Sequence, residues 1–204
     1  MKRLGWLLLP IALTLGGNAF AQNVGDNSVY FVIYYSNANT AGAPDAVVRI
    51  INDGDQATTA VEGVENGTLW AAFYVFNDGQ EFESCCACPV TADGMLSESV
   101  NKQLTSVEFS TRSETSRGVI KVISSSTNDP TNPVPSPGLR GWATHIGATT
   151  NIPEKGPFYV TETQLADSNL GTTELSNLGI LCSFGLTLSD GYINCPCTAE
   201  DTDF

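Results

Sequence analysis

The sequence is poor in charged residues, in basic residues above all, and in histidine. Only 15% of its 204 residues are charged, nine are basic against 22 acidic ones, and there is one histidine. A chain with a formal charge of −13 repels nucleic acid and anionic lipid. We therefore expect neither of them as a partner.

The motifs that mark common catalytic sites are also missing. No G-x-S-x-G turn, glycine-rich phosphate loop or haem attachment motif occurs. His145 lies in an expected strand, where a lone histidine is more often a packed or surface residue than a base. Glu81 and Glu83 share one strand face, but so acidic a chain produces such pairs by chance. We predict no catalytic residue.

Residues 1–21 have the pattern of a signal peptide. Lys2 and Arg3 form a positive end, residues 4–15 are apolar, and Ala19-Phe20-Ala21 is a cleavage site. Gln22 would then begin a mature chain with a formal charge of 7 − 22 = −15. No later apolar run is long enough to span a bilayer. We predict a secreted or cell-surface protein, with the periplasm as the alternative location.

Short β-branched and aromatic segments, separated by glycine, asparagine and aspartate turns, dominate the rest of the chain. Residues 69–76 follow an Asn66-Gly67 turn signal and are apolar on both faces, which predicts a central strand. One helix is expected from Thr172 or Thr173 to about residue 181. Further strands are predicted at residues 29–35, 46–51, 60–64, 118–123, 139–146, 158–163, 186–188 and 192–193.

This pattern predicts an all-β fold in one domain, residues 22–204. The expected architecture is an antiparallel β-sandwich of immunoglobulin-like or jelly-roll-like type, with one short helix near the C-terminus and disulfide staples. Residues 127–138 hold four prolines and predict an extended loop. An interdomain linker is the alternative, but cysteines beyond it can pair with earlier ones, so we favour a projecting loop.

The cysteines form two groups, Cys85, Cys86 and Cys88 in mid-chain and Cys182, Cys195 and Cys197 near the end. Six cysteines in an exported chain indicate three disulfides. Alternate side chains of an extended segment share a face, so Cys86 and Cys88 point one way and Cys85 the other. The same rule groups Cys195 with Cys197. We predict that these two pair with Cys86 and Cys88, which leaves Cys85 for Cys182.

A metal or iron–sulfur site is the alternative use of these cysteines. Structural zinc sites usually space paired cysteines as C-x2-C or wider, and neither group has that spacing. We therefore favour disulfides over a metal.

Two other kinds of site rest on weaker patterns. Asp53, Asp55 and Asp78 lie in expected turns and could bind calcium, although turn aspartates are common without a metal. Trp70 and Trp142 could stack on a sugar or another ligand, although tryptophans are more often found in a core. We predict no cofactor, with calcium as the alternative.

Residues 76–89 combine an aromatic strand, an acidic turn, Gln80-Glu81 and Cys-Cys-x-Cys-Pro. Together with residues 118–121, residues 142–145 and the closing Cys-x-Cys, they resemble a group of uncharacterised exported bacterial proteins. The resemblance implies export and a cysteine-linked β domain, and it brings no known catalytic residue.

The hypothesis favoured by these observations is an extracellular or cell-surface structural or adhesive domain without catalytic activity. Its partner would be a second copy, or a cell-surface glycan or protein. A carbohydrate-binding or other ligand-binding module is the alternative, and a secreted hydrolase or redox enzyme comes third.

Overall fold

The computed structural model describes residues 27–36, 44–55, 65–105, 117–148, 158–188 and 194–197. The predicted signal peptide, the strand at 60–64 and the strand at 192–193 lie outside these ranges. The elements are β1 (Tyr30–Tyr35), β2 (Val47–Asn52), β3 (Leu69–Asn77), β4 (Phe82–Val90), β5 (Met95–Ser99), a π-helical turn (Val100–Leu104), β6 (Gly118–Ser125), β7 (Leu139–Ala148), β8 (Phe158–Gln164), β9 (Ala166–Asp167) and α1 (Thr172–Leu188).

The strands form two antiparallel sheets. The first sheet has the order β4-β3-β6-β1-β9 and the second has the order β5-β2-β7-β8. Strand β3 lies inside the first sheet, between β4 and β6, and is buried on both faces as its sequence predicted. It follows a tight turn in which the Thr68 amide donates to the Glu65 carbonyl and Gly67 has a φ of 88°. The Asn66-Gly67 signal therefore marks a real turn.

One buried core takes side chains from both sheets. Phe31, Phe73 and Ile120 of the first sheet share it with Val48 and Ile50 of the second. Alternate residues of each strand reach this core because successive side chains point to opposite faces. Full burial of such a side chain stabilises the fold by about 1.5–3 kcal/mol.

The other face of the first sheet is covered by α1. Leu178 and Cys182 of the helix are buried against Tyr30, Ala72 and Ile123 of the sheet. A layer of helix therefore lies outside the two sheets. None of the described helices has both the length and the apolar character needed to cross a membrane.

Helix α1 runs to Leu188, beyond the predicted end near residue 181. The prediction of a strand at residues 186–188 is therefore wrong. Leu186 packs on the same side of the helix as Leu178 and Cys182, which matches a helical period. A short apolar run fits a buried strand and a buried helical turn equally well, so the sequence pattern did not separate them.

Residues 127–138 fold back on the protein, and do not project as predicted. The Ser126 amide donates to the Val134 carbonyl and the Ser136 amide donates to the Ser124 carbonyl, both at 2.9 Å. The Tyr74 hydroxyl donates to the Pro130 carbonyl at 2.7 Å. The loop is thereby tied to β3 and to the end of β6.

The predicted β-rich, antiparallel, two-sheet architecture with one C-terminal helix is confirmed. The finer assignment to an immunoglobulin-like or jelly-roll-like type stays a prediction.

Candidate functional site

Strand β4 is the point at which the disulfide bonds converge. The bonds are Cys85–Cys182, Cys86–Cys195 and Cys88–Cys197. Their Cα–Cα distances are 5.8, 5.3 and 5.3 Å. Cys85 faces α1, whereas Cys86 and Cys88 face the core between the sheets. The predicted disulfides are present, and they join the groups of cysteines that strand alternation predicted, with Cys86 bonded to Cys195 and Cys88 to Cys197.

The segment of residues 194–197 lies beside β4. Asn194 forms a parallel bridge with Cys85, and the Cys195 amide donates to the Cys85 carbonyl at 3.4 Å. Strand β4 would otherwise be an edge of the first sheet, and exposed edges invite pairing with other chains. The segment therefore covers this edge and the two disulfides hold it there.

The sulfur atoms of Cys86, Cys88 and Cys197 lie within 4.8 Å of one another. Within the described ranges, this is the one group of three metal-ligand atoms so close together. All six cysteines are disulfide-bonded, and a metal requires thiolates. The sulfurs thus serve as covalent links, and the bonds indicate an oxidising environment.

The three candidate calcium ligands are not brought together as a cluster. The Asp53 carboxylate accepts from the Asp55 amide at 3.2 Å and lies 4.0 Å from Arg140 Nη2. The Asp78 carboxylate accepts from Arg117 Nε at 2.8 Å. Turn formation and ion pairing account for these contacts, and calcium binding stays a prediction.

The two candidate stacking residues differ in exposure. Trp70 is only 6% exposed, so it offers no stacking surface. Trp142 is half-buried and pairs across the second sheet with Arg49 and Gln164. Because Ala143 beside it points into the core, Trp142 lies on the outer face. There Arg49 forms an ion pair with Glu162 at 2.7 Å.

His145 is enclosed and is not positioned as a base. Its ring stacks on Tyr34 with centroids 4.1 Å apart, and only 6% of the residue is exposed. Neither ring nitrogen has a hydrogen-bond partner among the described residues. Burial disfavours the charged imidazolium and lowers the pKa of His145. The ring is therefore neutral at pH 7.

We expect His145 to make the protein sensitive to mild acid. Its pKa is lowered in the folded state, so the unfolded chain binds more protons below the ordinary imidazole pKa of about 6.5. The contribution of the neutral His145 ring to the free energy of unfolding is therefore fully present above that pH and is lost as the pH is lowered. Urea unfolding of the wild type and of His145→Phe, at pH values from about 8 to about 5, measures this loss. Parallel stability curves for the two proteins would contradict it.

The first turn of α1 is held by a partly buried polar cluster. The Glu174 carboxylate accepts from Lys121 Nζ at 2.6 Å and from the Tyr30 hydroxyl at 2.9 Å. The hydrogen bond from Lys121 lowers the pKa of Glu174, and burial raises the pKa of Tyr30 above its usual value. The cluster fixes the start of the helix on the first sheet.

An open groove of about 440 Å³ runs between α1 and the proline-rich loop. Thr131, Asn132 and Pro133 line the loop side, and Ser176 and Ile180 lie on the helix side. The two walls touch at Gly179, where a Cβ atom would lie 2.3 Å from the Thr131 carbonyl oxygen. The backbones of the loop and the helix are therefore in direct contact where the two walls of the groove meet.

Beside the groove, α1 exposes a ridge of apolar side chains. Ile180 is 62% exposed, Phe184 62% and Leu188 67%. They follow one another at intervals of four residues and so lie on one side of the helix. Leu181, 39% exposed, borders them. We call Ile180, Phe184 and Leu188 the apolar ridge.

No protein-family model, curated protein or solved structure matches the chain. The comparisons therefore supply no activity, ligand or partner, and function has to be argued from the geometry.

The groove and the apolar ridge were missed by the sequence interpretation. The helix was predicted to stop before Phe184, and residues beyond it were assigned to a strand. The spacing of Ile180, Phe184 and Leu188 was the available signal, because it fits a helix that runs through residue 188.

Proposed function

We propose that the protein is an extracellular or cell-surface structural or adhesive domain that acts by binding and has no catalytic activity. The observation that carries this proposal is the apolar ridge of α1. Soluble proteins seldom leave contiguous apolar side chains exposed unless another surface binds them. The helix that bears the ridge is bonded to β4 through Cys182, so the ridge has a fixed position.

The three disulfide bonds support a function outside the cell. Three disulfides are typical of proteins in oxidising compartments. The two-sheet core is consistent with a β-sandwich, and the proposal includes the predicted immunoglobulin-like or jelly-roll-like type. It also includes export through the signal peptide expected at residues 1–21.

Support for a non-catalytic role comes from the chemistry of the groups that resembled catalysts. His145 is neutral and lies beneath Tyr34. The Glu81 and Glu83 carboxylates both accept from the Asn77 side-chain amide, at 3.1 and 2.5 Å. These contacts stabilise the turn after β3, which is a structural use of both acids.

The test expresses the full-length chain in a bacterium and follows its location, thiols and adhesion. We expect the protein in the medium or on the surface of intact cells, where added protease reaches it. Its cysteines should react with an alkylating reagent only after reduction, and cells that produce it should adhere more than vector controls. Retention in the cytoplasm with free thiols would overturn the proposal, as would turnover of a polysaccharide, ester or peptide by the purified protein.

Trp142 supports a second candidate function, a carbohydrate-binding module. A half-buried aromatic ring on an outer sheet face, beside the Arg49–Glu162 ion pair, is suited to stack on a sugar ring and hydrogen-bond its hydroxyls. A glycan array would then show binding that Trp142→Ala removes and Trp70→Phe retains, because Trp70 is buried. Equal glycan binding by wild type and Trp142→Ala would exclude this site.

A further inference from the structure

The apolar ridge lies on a helix with few charged residues in a strongly acidic protein. Helix α1 carries no charged residue after Glu174, and Glu174 is neutralised by Lys121. Residues 126–138 across the groove contain Asp129 as their one charged residue. Without Asp129, Glu174 and Lys121, the rest of the sequence has 22 − 2 = 20 acids against 9 − 1 = 8 basic residues. Two copies of this chain repel each other through their net charge, and the residues of α1 after Glu174 add no charge to that repulsion.

The spacing of the ridge is symmetric about its centre. Ile180 and Leu188 stand four residues to either side of Phe184. A two-fold axis near Phe184 would place Ile180 of one copy against Leu188 of the other, and the two Phe184 rings against each other. Two-fold interfaces require a surface that complements itself in this way. Rows of residues at intervals of four are also the ridges by which helices most often pack.

The ridge is held rigidly enough to act as an interface. The Cys85–Cys182 disulfide lies two residues before Phe184 in the chain and fixes this turn of α1 to β4. The buried contacts of Leu178 secure the preceding turn. Little conformational entropy would therefore be lost on association, which favours binding by a small surface.

We infer that the apolar ridge of Ile180, Phe184 and Leu188 binds the same ridge of a second copy of this chain, in a two-fold helix-to-helix dimer. This inference rests on the proposed function and names its partner. The ridge spans only about 12 Å along the helix, so the dimer is weak and reversible. Adhesion between cells that display the protein would follow from many such contacts acting together.

Sedimentation equilibrium of the purified, fully oxidised protein tests the inference. We expect a monomer–dimer equilibrium that tightens about tenfold or more when ionic strength rises from about 0.02 M to about 0.3 M. Added salt screens the repulsion between two acidic copies and leaves the apolar contact intact. A specific contact between unlike charges would instead weaken with salt.

The matched variants are Ile180→Gln/Phe184→Gln on the ridge and Val160→Gln on β8. Val160 is 51% exposed, so its substitution removes exposed apolar surface from the second sheet, away from the ridge. The ridge variant should weaken dimerisation more than about a hundredfold, because each change occurs twice in a two-fold interface. Val160→Gln should dimerise like the wild type. Equal thermal unfolding of the variant and wild-type monomers shows that folding is intact.

Three outcomes would overturn the inference. They are a wild type that stays monomeric at all salt concentrations, a dimer that the ridge variant retains, and a monomer that floats with zwitterionic lipid vesicles through its ridge. The last outcome would assign the ridge to a membrane. Export and adhesion measured on cells separate this test from that of the proposed function, because an exported, adhesive protein that never dimerises contradicts the dimer alone.

Discussion

Removing any one disulfide bond is expected to cost only about 2–3 kcal/mol, whereas removing all three costs about 10 kcal/mol and leaves the chain marginal or unfolded. The reason is that the three bonds close overlapping loops. Cys85–Cys182 and Cys86–Cys195 span 97 and 109 residues. A loop of about a hundred residues is worth about 4.7 kcal/mol in the chain-entropy model, but either bond alone already closes it.

The second and third bonds therefore close only short segments. With Cys85–Cys182 intact, Cys86–Cys195 closes the stretch between Cys182 and Cys195, which is worth about 3 kcal/mol. With both in place, the neighbouring Cys88–Cys197 bond closes a ring of a few residues, worth about 2 kcal/mol. Stabilities of globular domains are about 5–15 kcal/mol, so loss of the whole set leaves a marginal or unfolded chain.

Urea unfolding of paired cysteine-to-alanine variants measures these costs. Each variant removes one bond and two sulfur atoms, so the lost side-chain packing is similar in all three and cancels when they are compared. Removal of both Cys86–Cys195 and Cys88–Cys197 should cost about 5 kcal/mol, more than either alone. A single variant that lost the full value of a long loop, with the other two bonds formed, would contradict the overlapping-loop account.

The sequence predicted which groups of cysteines pair because the two-residue period of an extended segment was enough, and it left open which of Cys86 and Cys88 bonds to which of Cys195 and Cys197. Cys86 and Cys88 alternate with Cys85 on β4, and the three bonds follow those two faces. The central position of β3 was predictable for a similar reason, since both of its faces are apolar. Both predictions, for the cysteines and for β3, thus depend on the alternation of side chains between the two faces of a strand.

Other features depend on contacts that no local pattern encodes. Trp70 and Trp142 both lie in apolar strands, yet one is buried and the other half-exposed, because β3 is covered on both faces and β7 on one. The enclosure of His145 depends on Tyr34, which is remote in sequence. The groove depends on the contact of Gly179 with Thr131, which is also remote in sequence. Such details follow from the assembled fold and were not predicted.

The backbone contact between Gly179 and Thr131 leaves no room for a side chain at position 179. We expect Gly179→Ser to destabilise the protein by about 1–3 kcal/mol, a typical cost of overpacking. A Cβ atom at this position lies 2.3 Å from the Thr131 carbonyl oxygen, so helix and loop must separate. The helix resists this movement because Cys182, one turn along, is bonded to Cys85. The loop resists it because the Tyr74 hydroxyl holds the Pro130 carbonyl.

Gly171→Ser is the matched control at the other end of the same helix. A Cβ atom there meets nothing within 4 Å. The Gly171 carbonyl accepts from the Leu175 amide, which makes residue 171 the N-cap, a position where serine is preferred to glycine. This variant should be neutral or slightly more stable than the wild type. Thermal unfolding should separate the pair by several degrees, and Gly179→Ser should be cleaved faster by protease within residues 127–138. Equal melting temperatures for the two variants would mean that the loop moves away from the helix at no cost. The contact between Gly179 and Thr131 would then not hold the two walls of the groove together.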